Sequence, residues 1–355
     1  MSKFLKDAYR SIAPYTPGEQ PKDRSFIKLN TNESPFPPCR GVLEAVKEND
    51  LSSLRLYSDP ENEELEKAIA SYYGVERSNV LASNGSDEIL AFIFCAFFDE
   101  KHEVCFPDIT YGFYPVFCNF ASLKINEIPL KDDFTVDVDA FVNTDKNVVI
   151  ANPNAPTGIA LSVSDIRRIL DASPDRLVVV DEAYVDFGSY SCVPLIKEYG
   201  NLIVVQTFSK SRSLAGARLG MCFACDSLIA DLKTVKFSFN PYNVNRLTSL
   251  CGIAAVKDEN YFNYCRAEIM KNRAFTAREL KNAGFEVLPS NANFLFAKKE
   301  GFDGKRLYSA LREKGILVRH FDKPRIKDFI RITVGDETQM KTFVAAVKDI
   351  IGGTL

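Results

Sequence analysis

The sequence predicts an α/β fold: a large domain on a mainly parallel sheet with helices on both faces, then a smaller α/β or α+β domain. Three observations carry this. Between about residues 80 and 225, apolar runs such as "NVVIAN", "RLVVVDEAY" and "NLIVVQTF" alternate with helix-like segments. The runs are β-branched and do not alternate with polar residues, as strands buried on both faces require. A chain of 355 residues also exceeds what one compact core usually supports, so a second, smaller unit is expected.

The elements follow in order. The first 35 residues are rich in Pro and Asn ("APYTPGEQP", "LNTNESPFPP") and read as an extended arm. The large domain is expected over residues 36–250. In it "NVLAS" is a strand that feeds a helical pattern beginning near Asp87. The apolar "ILAFIFCAFF" that follows is only 10 residues long and reads as a buried helix, too short to span a bilayer. "NVVIAN" leads into the turn "PNAPTG" and a helix from about Ser164 to Ala172; two further strands end at Asp181 and before Lys210. The small domain is expected over 251–355: one or two long helices, strands in "FEVLPSNANFLFAKK", a helix near "GKRLYSALREKG", strands in "ILVRHF" and "DFIRITVG", and a final amphipathic helix.

Composition narrows the function. Net charge is −3 and no long run of Lys or Arg occurs, so neither a nucleic-acid nor a membrane-surface partner is expected. The N-terminus lacks the apolar core of a signal peptide, and nine scattered cysteines argue for a reducing cytoplasm rather than a disulfide framework. With only two histidines, His102 and His320, a His-rich metal site is excluded, and no metal is expected. The spacing of "CFAC" is ligand-like, but it stands in an apolar run without a second pair and reads as buried structural thiols.

Ligands of an open parallel sheet bind beyond the carboxyl ends of its strands. Three groups fall there. "NGSDE" (Asn84–Glu88) turns into a helix whose free N–H groups suit an anion, although for the turn taken alone plain capping by Ser86 or Asp87 is the favoured reading. Asp181 ends a buried strand, where a carboxylate needs a cation or a strong donor. Lys210, with Ser209 before it and Arg218 eight residues on, is either a buried ion-pair partner or a nucleophile. Together they ask for a ligand that is anionic at one end, cationic in its middle, and carries a carbonyl that a lysine can capture. Pyridoxal phosphate has all three features: its aldehyde forms an imine with lysine, its pyridinium nitrogen pairs with a carboxylate, and its phosphate seeks N–H groups, hydroxyls and arginine. No Gly-rich dinucleotide fingerprint or P-loop occurs, which disfavours a dehydrogenase, and no helix-turn-helix extension points to a non-catalytic ligand sensor.

"NPNAPTG", "DEAYVDF" and "TFSKSRSLAGARLG", in that order and spacing, resemble the fold-type-I pyridoxal-phosphate aminotransferases. "PYTPGEQP", "LNTNESPFPP", "LYSDPENEELEKAIA", "SNGSDEIL", "PYNVN", "SNANFLF" and "FIRITVG" extend the resemblance over essentially the whole chain, toward the branch acting on histidinol phosphate and 2-oxoglutarate in histidine biosynthesis. The resemblance implies that Lys210 holds the cofactor and shuttles the proton, that Asp181 pairs with the ring nitrogen, and that Tyr184 donates to the ring's phenolic oxygen. It implies that Tyr111 stacks on the ring, and that Gly85, Ser86, Asp87, Ser209 and Arg218 hold the phosphate. Tyr57 is expected to reach the phosphate of a neighbouring subunit, hence a homodimer. Arg331, Arg319, Tyr15 and Asn32 are the implied substrate contacts; His320 is a bystander. One departure stands out: most relatives carry Asn immediately before the proline of this turn, touching the phenolic oxygen, where this chain has Ala155. Asn154 is the expected substitute. The same motifs fit an aromatic or broad-specificity aminotransferase and a threonine-phosphate decarboxylase.

Overall fold

The computed structural model describes residues 2–353 apart from residues 11, 13–15, 23 and 49–50. In the arm lies a two-residue strand, β1 (Ile27–Lys28). The large sheet holds β2 (Val80–Ser83), β3 (Val104–Pro107), β4 (Asn126–Ile128), β5 (Asn147–Ala151), β6 (Val178–Asp181), β7 (Leu202–Thr207) and β8 (Gly220–Phe223). Their order is β2-β8-β7-β6-β5-β3-β4. Pairing is parallel from β7 to β4, whereas β8 runs antiparallel to both β7 and β2. Six strands therefore end at one edge of the sheet, and β8 begins there.

Side chains along a strand point alternately to its two faces. Val148, Ile150, Val178, Val180, Leu202 and Val204 accordingly pack in one apolar core, and Val149, Val179, Ile203 and Val205 in another on the opposite face. The helix Val163–Asp171 covers the first with Ile166, Ile169 and Leu170, and the helix Ser86–Phe97 covers the second with Ile89, Leu90 and Ile93. This is the doubly covered sheet that the unbroken apolar runs require, with "ILAFIFCAFF" as the buried helix.

The small unit is an antiparallel sheet of β9 (Phe285–Val287), β10 (Phe294–Lys299), β12 (Arg319–His320) and β13 (Ile330–Thr333), ordered β12-β13-β10-β9. Helices Glu259–Asn282, Gly304–Glu313 and Glu337–Gly352 supply Ile269, Leu307, Leu311, Met340 and Phe343 to its own core. The remaining strand, β11 (Ile316–Leu317), pairs in parallel with β1 and so ties the arm to this unit. The helix Arg246–Lys257 packs Cys251, Ala255 and Val256 into the large core, so residue 250 falls inside an element of the large unit. Asp258 then caps the long helix, accepting from the Tyr261 N–H at 3.1 Å. All nine cysteines are free thiols, and no helix among the described residues is long and apolar enough to cross a membrane.

Candidate active site

A cavity of about 820 Å³ lies at the carboxyl edge of the large sheet, closed on its far side by the arm and by the small unit. Asp181, Lys210 and Arg218 reach it from the large unit, Asn30, Thr31 and Asn32 from the arm, and Arg319 and Arg331 from the small sheet.

Asp181 stands at the last position of β6 and is 5 % exposed. Its carboxylate accepts from the Tyr114 hydroxyl at 2.9 Å and from the Ala183 N–H at 3.2 Å. Burial raises its pKa to about 6, against the pull of those hydrogen bonds. A protonated ring nitrogen beside it would favour the ionised form. Tyr114 was not anticipated from the sequence. It opens the helix Tyr114–Phe120, fully buried, edge-on to Tyr111 at 5.6 Å. Its signal in the sequence is the Tyr-x-x-Tyr spacing, which puts two aromatic rings at one helix start.

Lys210 follows β7 by three residues, with its Nζ donating to the Thr31 carbonyl at 3.3 Å and lying 5.8 Å from the centre of the Tyr184 ring. Burial, then the nearby Arg331 cation, lowers its pKa to about 8. Both following residues anchor its backbone. Ser211 donates to Asp186, and the buried Arg212 lies 4.7 Å from the Tyr72 ring and 4.2 Å from that of Phe262 while donating to the Ala255 carbonyl at 2.7 Å.

Between β2 and the helix Ser86–Phe97 the chain turns at Gly85, with φ at +89° and no side chain capping the helix start. No side-chain cap from Ser86 or Asp87 closes this helix start, and both residues line the cavity, whereas Gly85 does not. A Cβ on Gly85 would meet the Arg218 guanidinium at 2.7 Å, and one on Gly220 would meet the Ser86 nitrogen at 2.3 Å. The antiparallel entry of β8 thus presses Arg218 and the helix start together, and only glycines permit it. Arg218 Nη2 lies 3.5 Å from Asp87, which also accepts from the Tyr111 hydroxyl at 2.8 Å. Ser209, nearly buried, lies against Thr207, their hydroxyls 2.9 Å apart.

Tyr184 lines the cavity with its hydroxyl accepting from Asn32 Nδ2 at 3.0 Å, and burial raises its pKa. Asn32 is thus brought to Tyr184 as well as to the cavity. Arg331 donates to the Asn30 carbonyl at 3.0 Å; Arg319 donates to the carbonyls of Thr16 at 2.9 Å and Pro17 at 3.1 Å. His320 lies away from the cavity lining, its Nε2 on the Lys327 carbonyl. Tyr57 is 78 % exposed and stacked on Tyr242, outside its own chain's cavity. Tyr15 lies outside the described residues.

Asn154 is a correction. Its amide donates to the Ile109 carbonyl at 2.9 Å and to Thr157 at 3.2 Å, and its oxygen accepts from Thr110 at 2.7 Å. Its amide is taken up by Ile109, Thr110 and Thr157, and Ala155 is the neighbour that lines the cavity. Lys323 and Phe321 also line it and carried no sequence signal.

A lysine, a buried acid and an uncapped helix start, meeting at the carboxyl edge of a mixed sheet, define the class: pyridoxal-phosphate enzymes of fold type I. The chain belongs to the aminotransferase class I and II family, whose model matches residues 24–347. It is 47% identical over 352 residues to the histidinol-phosphate aminotransferase of Brachyspira hyodysenteriae, covering 99% of each chain. It is 45% identical over 351 residues to that of Clostridium botulinum, again covering 99% of each. A crystal structure of histidinol-phosphate aminotransferase from Sinorhizobium meliloti in complex with pyridoxal-5′-phosphate superposes with a TM-score of 0.90. It covers 100% of this chain and 99% of its own at 24% identity, which establishes the shared fold.

Proposed function

We propose that the chain transfers the amino group of histidinol phosphate to 2-oxoglutarate, giving imidazole acetol phosphate and glutamate, as a step of histidine biosynthesis in the cytoplasm. The observation that carries this reading is the pair Arg319 and Arg331 in the same cavity as Lys210. Guanidinium forks bind phosphate and carboxylate alike, so one site serves a phosphorylated amine and then a dicarboxylate. The names of the relatives support the same substrate.

Bound pyridoxal phosphate supplies an electron sink for the C–H bond broken at the substrate's amine-bearing carbon. The chain's own residues do the rest. Lys210 would hold the cofactor's carbonyl carbon and, once the substrate's amine displaces it, would be the free amine placed to accept and return the proton at the reacting carbons. Asp181 would keep the ring nitrogen protonated, Tyr184 would donate to the phenolic oxygen, and Tyr111 would offer its ring to the cofactor's. The N–H groups of Gly85, Ser86 and Asp87, with Ser209 and Arg218, hold the phosphate. Asn30, Thr31 and Asn32 of the arm, with Arg319 and Arg331 of the small unit, close the large unit's cavity over the substrate. Tyr57 completes the partner's phosphate site in a homodimer.

Single-turnover spectroscopy tests the substrate. The yellow protein is expected to lose its colour rapidly with histidinol phosphate and far more slowly with phenylalanine or threonine phosphate. A faster response to phenylalanine, or carbon dioxide release from threonine phosphate, would overturn the reading. For the homodimer, mixing inactive Lys210→Ala and Tyr57→Ala protomers should regain activity through hybrid sites; no gain on mixing refutes the shared site.

A further inference from the structure

We propose that Asn32 is a positioning residue for Tyr184, doing through that phenol what Ala155 cannot do directly. The inference rests on the reading of the cavity as a pyridoxal-phosphate site. Ala155 offers that wall only a methyl group, and Asn154 has committed its amide to Ile109, Thr157 and Thr110. Donation to a ring's phenolic oxygen is left to the Tyr184 hydroxyl, and a phenol has one proton to give.

Where that proton points is decided by Asn32. Its Nδ2 donates to Tyr184 Oη at 3.0 Å and so fills an acceptor position of the phenol, leaving the O–H free to point into the cavity. The bonds around it favour this orientation of the amide. Thr333 Oγ1 accepts from the Asn32 N–H at 2.9 Å, which leaves the hydroxyl proton to donate to Asn32 Oδ1 at 3.1 Å. The amide oxygen is held on the β13 side and the NH₂ on the Tyr184 side. The Asn32 carbonyl accepts from Asn293 Nδ2 at 3.0 Å, and the residue is 1 % exposed. Its φ of +55° belongs to the left-handed region that asparagine tolerates better than most side chains. Strand β13 also carries Arg331, two residues before Thr333, so substrate capture and the orientation of Tyr184 depend on one strand.

The test follows the near-visible absorption of the holoenzyme against pH in the wild type, Asn32→Gly, Tyr184→Phe and the double variant. Glycine removes the side chain while suiting the positive φ. A donor on the phenolic oxygen stabilises its negative charge and loosens its hold on the titrating proton. Asn32→Gly should therefore move the midpoint up by about 0.5–1 unit, the scale of one hydrogen bond. Tyr184→Phe should move it further, and the double variant should match Tyr184→Phe alone, because Asn32 acts through that hydroxyl. An unmoved midpoint in Asn32→Gly, or additive shifts in the double variant, would overturn the proposal. Should Asn32→Gly not fold, Thr333→Val keeps Asn32 and removes only the hydroxyl that orients it. A smaller upward shift supports the proposal and none overturns it. A wild type that never takes up colour would bring down the proposed function and this inference together; a coloured one with an unmoved midpoint sinks this inference alone.

Discussion

The two ends of the cavity are built in opposite ways. At the cofactor end each group comes from a short run of sequence at the end or start of a large-sheet strand: Gly85–Asp87, Asp181–Tyr184, Ser209–Arg218. At the substrate end the groups meet across the whole chain, as when Arg331 reaches the carbonyl of Asn30, 301 residues earlier. The first end is carried by the large sheet and specifies a chemistry, and the arm touches it at Lys210 and Tyr184, through Thr31 and Asn32. The second exists only when the arm lies on the small sheet, and it specifies an amine.

The sharpest way to break this contrast is to remove the chemistry and keep the fold. Lys210→Ala should lower turnover by about 10⁴-fold, as losing both cofactor attachment and the proton carrier implies. Far-ultraviolet circular dichroism and the urea midpoint should stay near the wild type, because Ser211 and Arg212 still anchor the loop. Retained turnover would mean that the cofactor end is misread.

Asp181→Asn should cost on the order of 10²–10³-fold in kcat, the scale of a lost preorganised charge. The same residue gives a pH signature without cofactor. Its folded pKa, about 6, lies above the unfolded value of 3.8, so its stabilising contribution is complete below about pH 4 and is lost as pH rises through 6. Urea midpoints of the cofactor-free protein should therefore fall over that window by an amount on the order of 2–3 kcal/mol that Asp181→Asn lacks. Equal pH profiles for the two proteins would refute it.

Arg331→Ala should raise KM for the phosphorylated amine by about 10–100-fold, the scale of a charged hydrogen bond, while cofactor affinity measured by absorbance titration stays within about twofold. A large loss of cofactor affinity would dissolve the distinction between the ends. The smallest effect is expected at Tyr114→Phe: cofactor affinity should fall by about fivefold, the worth of one neutral donor on Asp181, with KM untouched.

Legibility follows the same division. β5, β6 and β7 were readable because unbroken Val/Ile runs have no other comfortable place than a sheet covered on both faces. β4 was not, being a three-residue edge strand with an exposed Glu127. Nothing in "GMCF" tells that β8 runs against its neighbours, although that reversal is what brings Arg218 to the helix start. Lys210 and Asp181 stood out because a charge at the end of a buried strand is costly without a purpose, and Arg218 because it follows them in a Gly/Ala-rich segment. Asn154 was misread because only the course of the turn decides which of two neighbours faces inward. Asn32 was placed in the cavity, but its bond to Tyr184 depends on Thr333, which no local pattern links to it.

The pairing of β1 with β11 carries a consequence for the order of assembly. During synthesis, the segment around Ile27–Lys28 emerges well before its seat, Ile316–Leu317. The large sheet, complete at Phe223, can fold on the growing chain, whereas the arm must wait unpaired for nearly three hundred further residues. The reactive lysine can thus be in place on the large sheet before the arm finds its seat on β11.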